Sequence, residues 1–258
     1  MTNRLKLDTD YWIGYFARNQ FNRTEPPWDA EIELPDAARQ SLTQSIQEFQ
    51  LGDGGGPASL IAFNADRFRC HSDEIELIVD LWFNEEKEHS RLLGKVLDRL
   101  QAKPIESHWS FRLFCFFRKV LGVLFELQIL TVTELVSTSY YTLLRRHCPD
   151  PAIRSVCSLI LRDESGHVRF HNDRLAAFNS LSYRQSILGV RRRLWGIQFY
   201  LSGCIAASVL WISHGRAIKE LGGTTAEFRA DVHKQLTRFM KKLDAKTART
   251  DAIDLQVT

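Results

Sequence analysis

Two stretches, Glu85-Glu86-Lys87-Glu88-His89 and Asp163-Glu164-Ser165-Gly166-His167, constrain this chain more than any other feature. Each holds a Glu-x-x-His pair, and in each a second acid stands just before the Glu. Residues three apart on a helix share one face, one turn apart. Both pairs fall on apolar lines with helical steps of three and four. From about Ser72 to Gln101 the line is Ile75, Ile78, Trp82, Glu86, His89, Leu93, Val96 and Leu100. After the turn Pro149-Asp150-Pro151 a second line runs Val156, Ile160, Glu164, His167, His171, Leu175 and Phe178. Acid and imidazole are thereby set toward the core, where an uncompensated charge is costly. Two such pairs on two helices can each grip one metal ion and share a bridge. Glu74, Glu76, Glu85, Glu88 and Asp98 fall off the first line and read as solvated.

Lone acids complete the pattern. A first helix is expected to open at Asp36 behind Pro35, with Leu42, Ile46 and Phe49 in phase and Asp53 next on the same line. Gly54-Gly55-Gly56-Pro57 permits a second reading, in which the helix stops at Gly52 and Asp53 is a solvated turn residue. Residues 102–110 read as a linker. A third helix then runs to about His147, with Val123, Leu127, Leu130, Glu134, Thr138 and Tyr141 in line. Glu126 is a rival to Glu134, about 80° round from it at 100° per residue. Ser137, Thr138 and Tyr141 leave small, partly polar space beside Glu134. His171 continues the face of His167 and reads as a hydrogen-bonded core residue. The collected set is Asp53, Glu86, His89, Glu134, Glu164 and His167. One carboxylate from each of two helices, with a Glu-x-x-His from each of two others, is a recipe for a dinuclear centre. Bridging carboxylates screen the repulsion between two cations, and four negative charges match two divalent ions. Oxygen and imidazole ligation suits iron or manganese.

On these residues, over about 36–180, the chain resembles the ferritin-like superfamily of di-iron carboxylate proteins. Phe49-Gln50-Leu51-Gly52-Asp53 resembles the first-helix motif of its oxygenase-like members. The run Thr133-Glu134-Leu135 through Tyr140-Tyr141, then Asp163-Glu164, is similar to bacterial aldehyde-deformylating oxygenases, and favours Glu134 over Glu126 as ligand. Asp53 stands where most members carry Glu, although ribonucleotide reductase small subunits also carry Asp there. The resemblance implies an all-α fold: a ferritin-like four-helix bundle with a long crossover, one or two additional C-terminal helices and an N-terminal arm. It implies two iron ions, with manganese as the other choice. Asp163 would orient His89 from behind, with His171 and Tyr141 also placed around the ligands. The implied activity is an oxidase or oxygenase that activates dioxygen on a small organic substrate with electrons from an external donor; the apolar flanks of the fourth and fifth helices suggest an apolar pocket for that substrate. Ferroxidase or iron storage, manganese catalase and a metal-binding bundle without catalysis are the alternatives.

The remaining segments carry less chemistry. Residues 1–35 are expected to form an arm in which Tyr11, Trp12, Tyr15 and Phe16 make one or two amphipathic turns that anchor it. Residues 181–243 are expected to add a long helix over Ser182–Leu221 and a basic one from Thr224 to about Lys242, and residues 244–258 a flexible tail. Leu194–Gly215 is a run of 22 residues without Asp, Glu, Lys or Arg, long enough to span a bilayer. Gln198, Ser202, Ser208, Ser213, His214 and interspersed glycines dilute it, so packing on the bundle is expected. Membrane-surface contact through 191–215 is the other reading. A net charge of +3, from 34 basic and 31 acidic residues, gives no reason to expect nucleic acid. Five scattered cysteines without a Cys-x-x-Cys, and no apolar run in Met1–Asp10, fit a reduced cytoplasmic setting. A homodimer is expected only by analogy with such bundles.

Overall fold

Short-range chemistry sets the helix boundaries. The structure, a computed structural model, describes residues 7–54, 73–182 and 190–255, and among these it is all-α. α1 (Thr9–Phe21) opens on Asp8, whose carboxylate accepts the Tyr11 backbone N–H at 3.0 Å. α2 (Asp36–Gly54) follows Pro35, and α3 (Asp73–Arg99) ends where Gln101 turns to φ 57° and the Ala102 N–H returns to the Leu97 carbonyl. α4 (Trp109–Val120) and α5 (Val123–His147) come next. α6 (Pro151–Ser182) has proline at its first position and the Asp150 carboxylate on the Ile153 N–H at 3.0 Å. α7 (Val190–Glu220) leads into α8 (Thr225–Leu255), where Thr224 and Glu227 cap each other's backbone N–H groups.

Three expectations change. The arm contains a 13-residue helix, α1, and its Trp12 and Phe16 are buried. The single helix expected up to His147 is two, because Gly122 adopts φ +84°, a conformation that favours glycine. The tail is helical through Leu255, so α8 is 31 residues long. Gly55, Gly56, Pro57, Cys70, residues 183–189 and the ends of the chain lie outside the described residues, as do the side chains of Phe178 and Arg191.

The four helices that carry the collected acids pack as two pairs, α2 on α3 and α5 on α6, joined where α3 meets α6. α7 covers α2 and α5, while α8 lies across α5, α6 and α7. The main apolar core includes Leu42, Leu93, Val136, Ile160, Phe199 and Phe239. A second core is built from Trp12 and Phe16 of α1, Ile78 and Trp82 of α3, and Phe170 of α6. The residues between Trp82 and Leu92 on α3, and between Ile160 and Phe170 on α6, form a band separating the two cores. That band contains both Glu-x-x-His pairs.

Gly166 lies inside this band because α1 comes close there. A Cβ on it would sit 2.5 Å from the Tyr15 hydroxyl and 2.6 Å from its ring. Gly166→Ala is therefore expected to displace the Tyr15 ring and cost about 1–3 kcal/mol in urea unfolding. Combining it with Tyr15→Ala should cost less than the sum of the two changes; strict additivity would contradict the contact.

Candidate metal centre

Two imidazoles face each other across two carboxylates. The Nδ1 of His89 is 3.6 Å from Glu86 Oε2 and 3.9 Å from Glu164 Oε1. The Nδ1 of His167 is 3.1 Å from Glu86 Oε1 and 3.6 Å from Glu164 Oε2. Each glutamate thus offers one oxygen toward each histidine. Asp53, on the last turn of α2, joins Glu86 and His89 in one group whose ligand atoms all lie within 4.8 Å of one another. Glu86, Glu164 and His167 form a second such group, so Glu86 belongs to both. These groups, buried at His89, Glu164 and His167 and half-buried at Asp53 and Glu86, can hold a metal ion. α2 continues to Gly54, which keeps Asp53 in phase with Leu42, Ile46 and Phe49, and the reading in which it is a solvated turn residue is discarded.

Glu134 approaches from α5 but falls outside both close groups. Its Oε1 accepts from His171 Nε2 at 3.0 Å, while its Oε2 is buried without a hydrogen-bond partner. Ser137 and Thr138 hydrogen-bond back to the Glu134 carbonyl, so their hydroxyls do not serve the centre. Glu126 is committed elsewhere: the Arg118 guanidinium holds its buried carboxylate at 2.7 Å across the α4–α5 break. Tyr141 is buried, and its hydroxyl has no hydrogen-bond partner.

The outer nitrogens of the two histidines are held by acids from the opposite pair. His89 Nε2 donates to Asp163 at 3.1 Å, and His167 Nε2 donates to Glu85 at 2.8 Å. Fixing Nε2–H in this way leaves Nδ1 as the free lone pair of each neutral ring, which is the geometry of a ligand. The two Nδ1 atoms, Glu164 Oε2 and Glu134 Oε2 are buried without hydrogen-bond partners, a donor set that fits a cation. Behind the outer acids sits Arg23, from the segment after α1. Its guanidinium is 2.9 Å from Asp163 and 3.8 Å from Glu85. Arg162 also donates to Asp163, and ties down the Asn22 carbonyl at 2.6 Å.

Electrostatics here are set by burial and by neighbouring charge. Burial, then the charge of Glu86, pushes the Asp53 carboxyl well up, and burial does the same for Glu134. Glu164 rises to about 7, chiefly through burial. Glu86 moves the other way: against burial, the imidazoles of His167 and His89, 3.1 and 3.6 Å from its oxygens, hold it ionised. Burial works against charge on the histidines, but Asp163 and Glu86 still raise His89 to about 10. Glu164, Glu85 and Glu86 likewise raise His167. Without metal, therefore, protons on the imidazoles and on several carboxyls balance the charge. His171 is kept neutral by burial and by the nearby Arg174 and His167.

Glu85 is the correction to the sequence reading. It is fully buried, whereas its place off the Glu86–His89 line suggested solvent. α3 is covered by α1, α2 and α6, so its buried face is wide enough to include a second line, Trp82, Glu85, His89 and Leu92. The signal was available, since Glu85 precedes its Glu-x-x-His just as Asp163 does. Arg23 carried no signal, being far away in sequence and outside any periodic stretch. Compared with protein-family models, with curated proteins and with solved structures, the chain gives no significant match.

Metal and protons compete for the same atoms, so binding must release protons. Apparent affinity for Mn(II) is expected to rise steadily from pH 6 to pH 9, because Glu164, near 7, and His89, near 10, lose protons more readily as pH rises. Titration calorimetry in buffers of different ionisation enthalpy should show that release, and a pH-independent affinity would contradict the assignment. Arg23→Ala and Glu85→Ala are each expected to weaken metal binding about 10–100-fold while the helical content stays unchanged.

Proposed function

We propose that this chain is a ferritin-like metalloenzyme with a dinuclear, non-haem iron centre, acting as an oxidase or oxygenase on a small apolar organic substrate. The observation that carries the reading is the mirrored placement of Glu86 and Glu164, each with one oxygen toward each imidazole Nδ1. One metal would be held by Asp53 and His89, and the other by Glu134 and His167, with Glu86 and Glu164 available to both. Four carboxylates then meet two divalent ions without net charge, which suits a site between two apolar cores. When bound and reduced, a pair of irons supplies the electrons for dioxygen activation.

The protein's own part is to position and to exclude water. Asp163 and Glu85 fix the two rings, and Arg23 spans those two acids from outside. His171 holds one oxygen of Glu134, leaving the other to turn inward. Burial and the charge of Asp53 keep Tyr141 a phenol, able to donate a hydrogen bond from its unpartnered hydroxyl. Trp82, Phe16 and Phe170 close the α1 side of the site with aromatic rings, Trp82 lying 4.8 Å from the His171 ring. Dioxygen, an external electron donor and the organic substrate are the partners this reading requires.

Reconstitution tests the reading. Protein loaded anaerobically with Fe(II) is expected to bind two irons per chain and to consume dioxygen in a rapid phase on mixing. Asp53→Ala should retain about one iron, whereas Glu86→Ala should lose both and the rapid phase with them. Rapid hydrogen peroxide turnover by the Mn(II) form would favour a catalase instead, and a shell-sized particle filling with iron would favour storage. Full iron retention in Glu86→Ala would overturn the shared-ligand arrangement.

A further inference from the structure

α7 is the one helix among the described residues that is long and apolar enough to cross a membrane. It cannot do so from its place in the fold, because one face is committed to the protein. Phe199, Ala207, Ala217 and Ile218 are buried against the rest of the chain, and α7 packs on α2, α5 and α8. Its other face is apolar and open. Leu194, Ile197, Leu201, Ile205, Val209 and Ile212 follow one another at steps of three and four, all about half exposed or more, with Ile212 84% exposed. A core helix would turn such a stripe inward.

α4 repeats the pattern with aromatic residues. Trp109, Leu113, Phe116, Phe117 and Val120 are exposed on it, Trp109 by 64%, and Leu121 continues the face. The two helices are linked at one point: His108, just before α4, and His214 of α7 each lie 3.6 Å from the Glu48 carboxylate. Trp109 and Ile212 flank that junction. Together the two faces expose twelve large apolar side chains, whereas single scattered ones are what a soluble surface ordinarily shows.

Charge decides what covers this surface. No Asp or Glu occurs in residues 107–125 or 194–219, whereas Arg112, Lys119, Arg193, Arg216 and Lys219 are exposed beside the apolar residues, with Arg216 paired to Glu220 at 2.8 Å. A two-fold pairing of copies needs a self-complementary rim, and a rim of cations would set like charges against each other. An anionic lipid surface meets the same rim with opposite charge, and takes up Trp, Phe and Leu at the headgroup boundary. We propose that α4 and the outer face of α7 form a docking surface by which this protein lies on an anionic bilayer, without spanning it. The proposal is independent of the metal centre.

Co-sedimentation of the full-length, metal-free protein with vesicles tests it. Binding is expected to vesicles of phosphatidylcholine with 30% phosphatidylglycerol, to be about tenfold weaker on phosphatidylcholine alone, and to weaken with salt. Phe116→Glu and Ile205→Glu should each reduce binding about tenfold or more, with circular dichroism unchanged because both side chains are exposed. Trp109→Phe should reduce the blue shift of tryptophan fluorescence that accompanies binding. Absence of binding to the anionic vesicles overturns the proposal. So does a stable dimer that Phe116→Glu and Ile205→Glu disperse while the parent protein ignores vesicles, since a second copy would then be the occupant. Failure here leaves metal loading untouched, and failure of metal loading leaves vesicle binding untouched.

Discussion

Carboxylates in one buried band, facing two imidazoles, are the constraint on which the rest of this structure depends. Asp53, Glu86, Glu134 and Glu164 converge from four helices, with Glu85 and Asp163 directly behind the histidines. Two like charges 4 Å apart repel by about 4 kcal/mol even at an effective dielectric constant of 20. Apolar cores on both sides limit how far the acids can relax toward water. Charge must come in, as protons or as metal ions. The raised carboxyls and imidazoles describe the protonated solution, and the pairing of each imidazole with an outer acid prepares the metallated one.

The local structure serves that constraint at a cost in stability. Residues that hydrophobic packing would otherwise claim, at the centre of α3 and α6, are given to charge. α1 compensates by laying Trp12 and Phe16 over the band, and the segment that follows delivers Arg23 to both outer acids. Gly166 lets α1 come close enough to do so. What looks like an accessory arm is thus part of the enclosure of the site, and metal affinity and α1 docking should be coupled.

Much of the site was legible because helical phase is a strong signal in long elements. Glu86, His89, Glu164 and His167 sat on apolar lines, and the structure brings them together as that phase requires. Asp53 was ambiguous because a glycine run can end a helix at once, and only the observed continuation to Gly54 decides its direction. Glu85 was misplaced because a single line of residues was drawn on a helix covered from three sides. The break at Gly122 was missed because apolar residues continue through it, and one glycine does not announce a positive φ. Arg23 is set by tertiary packing alone. The apolar character of 194–215 was plain, but which face is buried depends on where α2, α5 and α8 lie.

The central proposal is that Glu86 and Glu164 would be shared between two metal ions. Anomalous diffraction from crystals grown with Fe(II) or Mn(II) tests it most directly. The account predicts two peaks about 3.5–4 Å apart, one beside His89 Nδ1 and Asp53, the other beside His167 Nδ1 and Glu134. A single peak coordinated by only one of the two histidines, or no peak between α2, α3, α5 and α6 at pH 8, would contradict it.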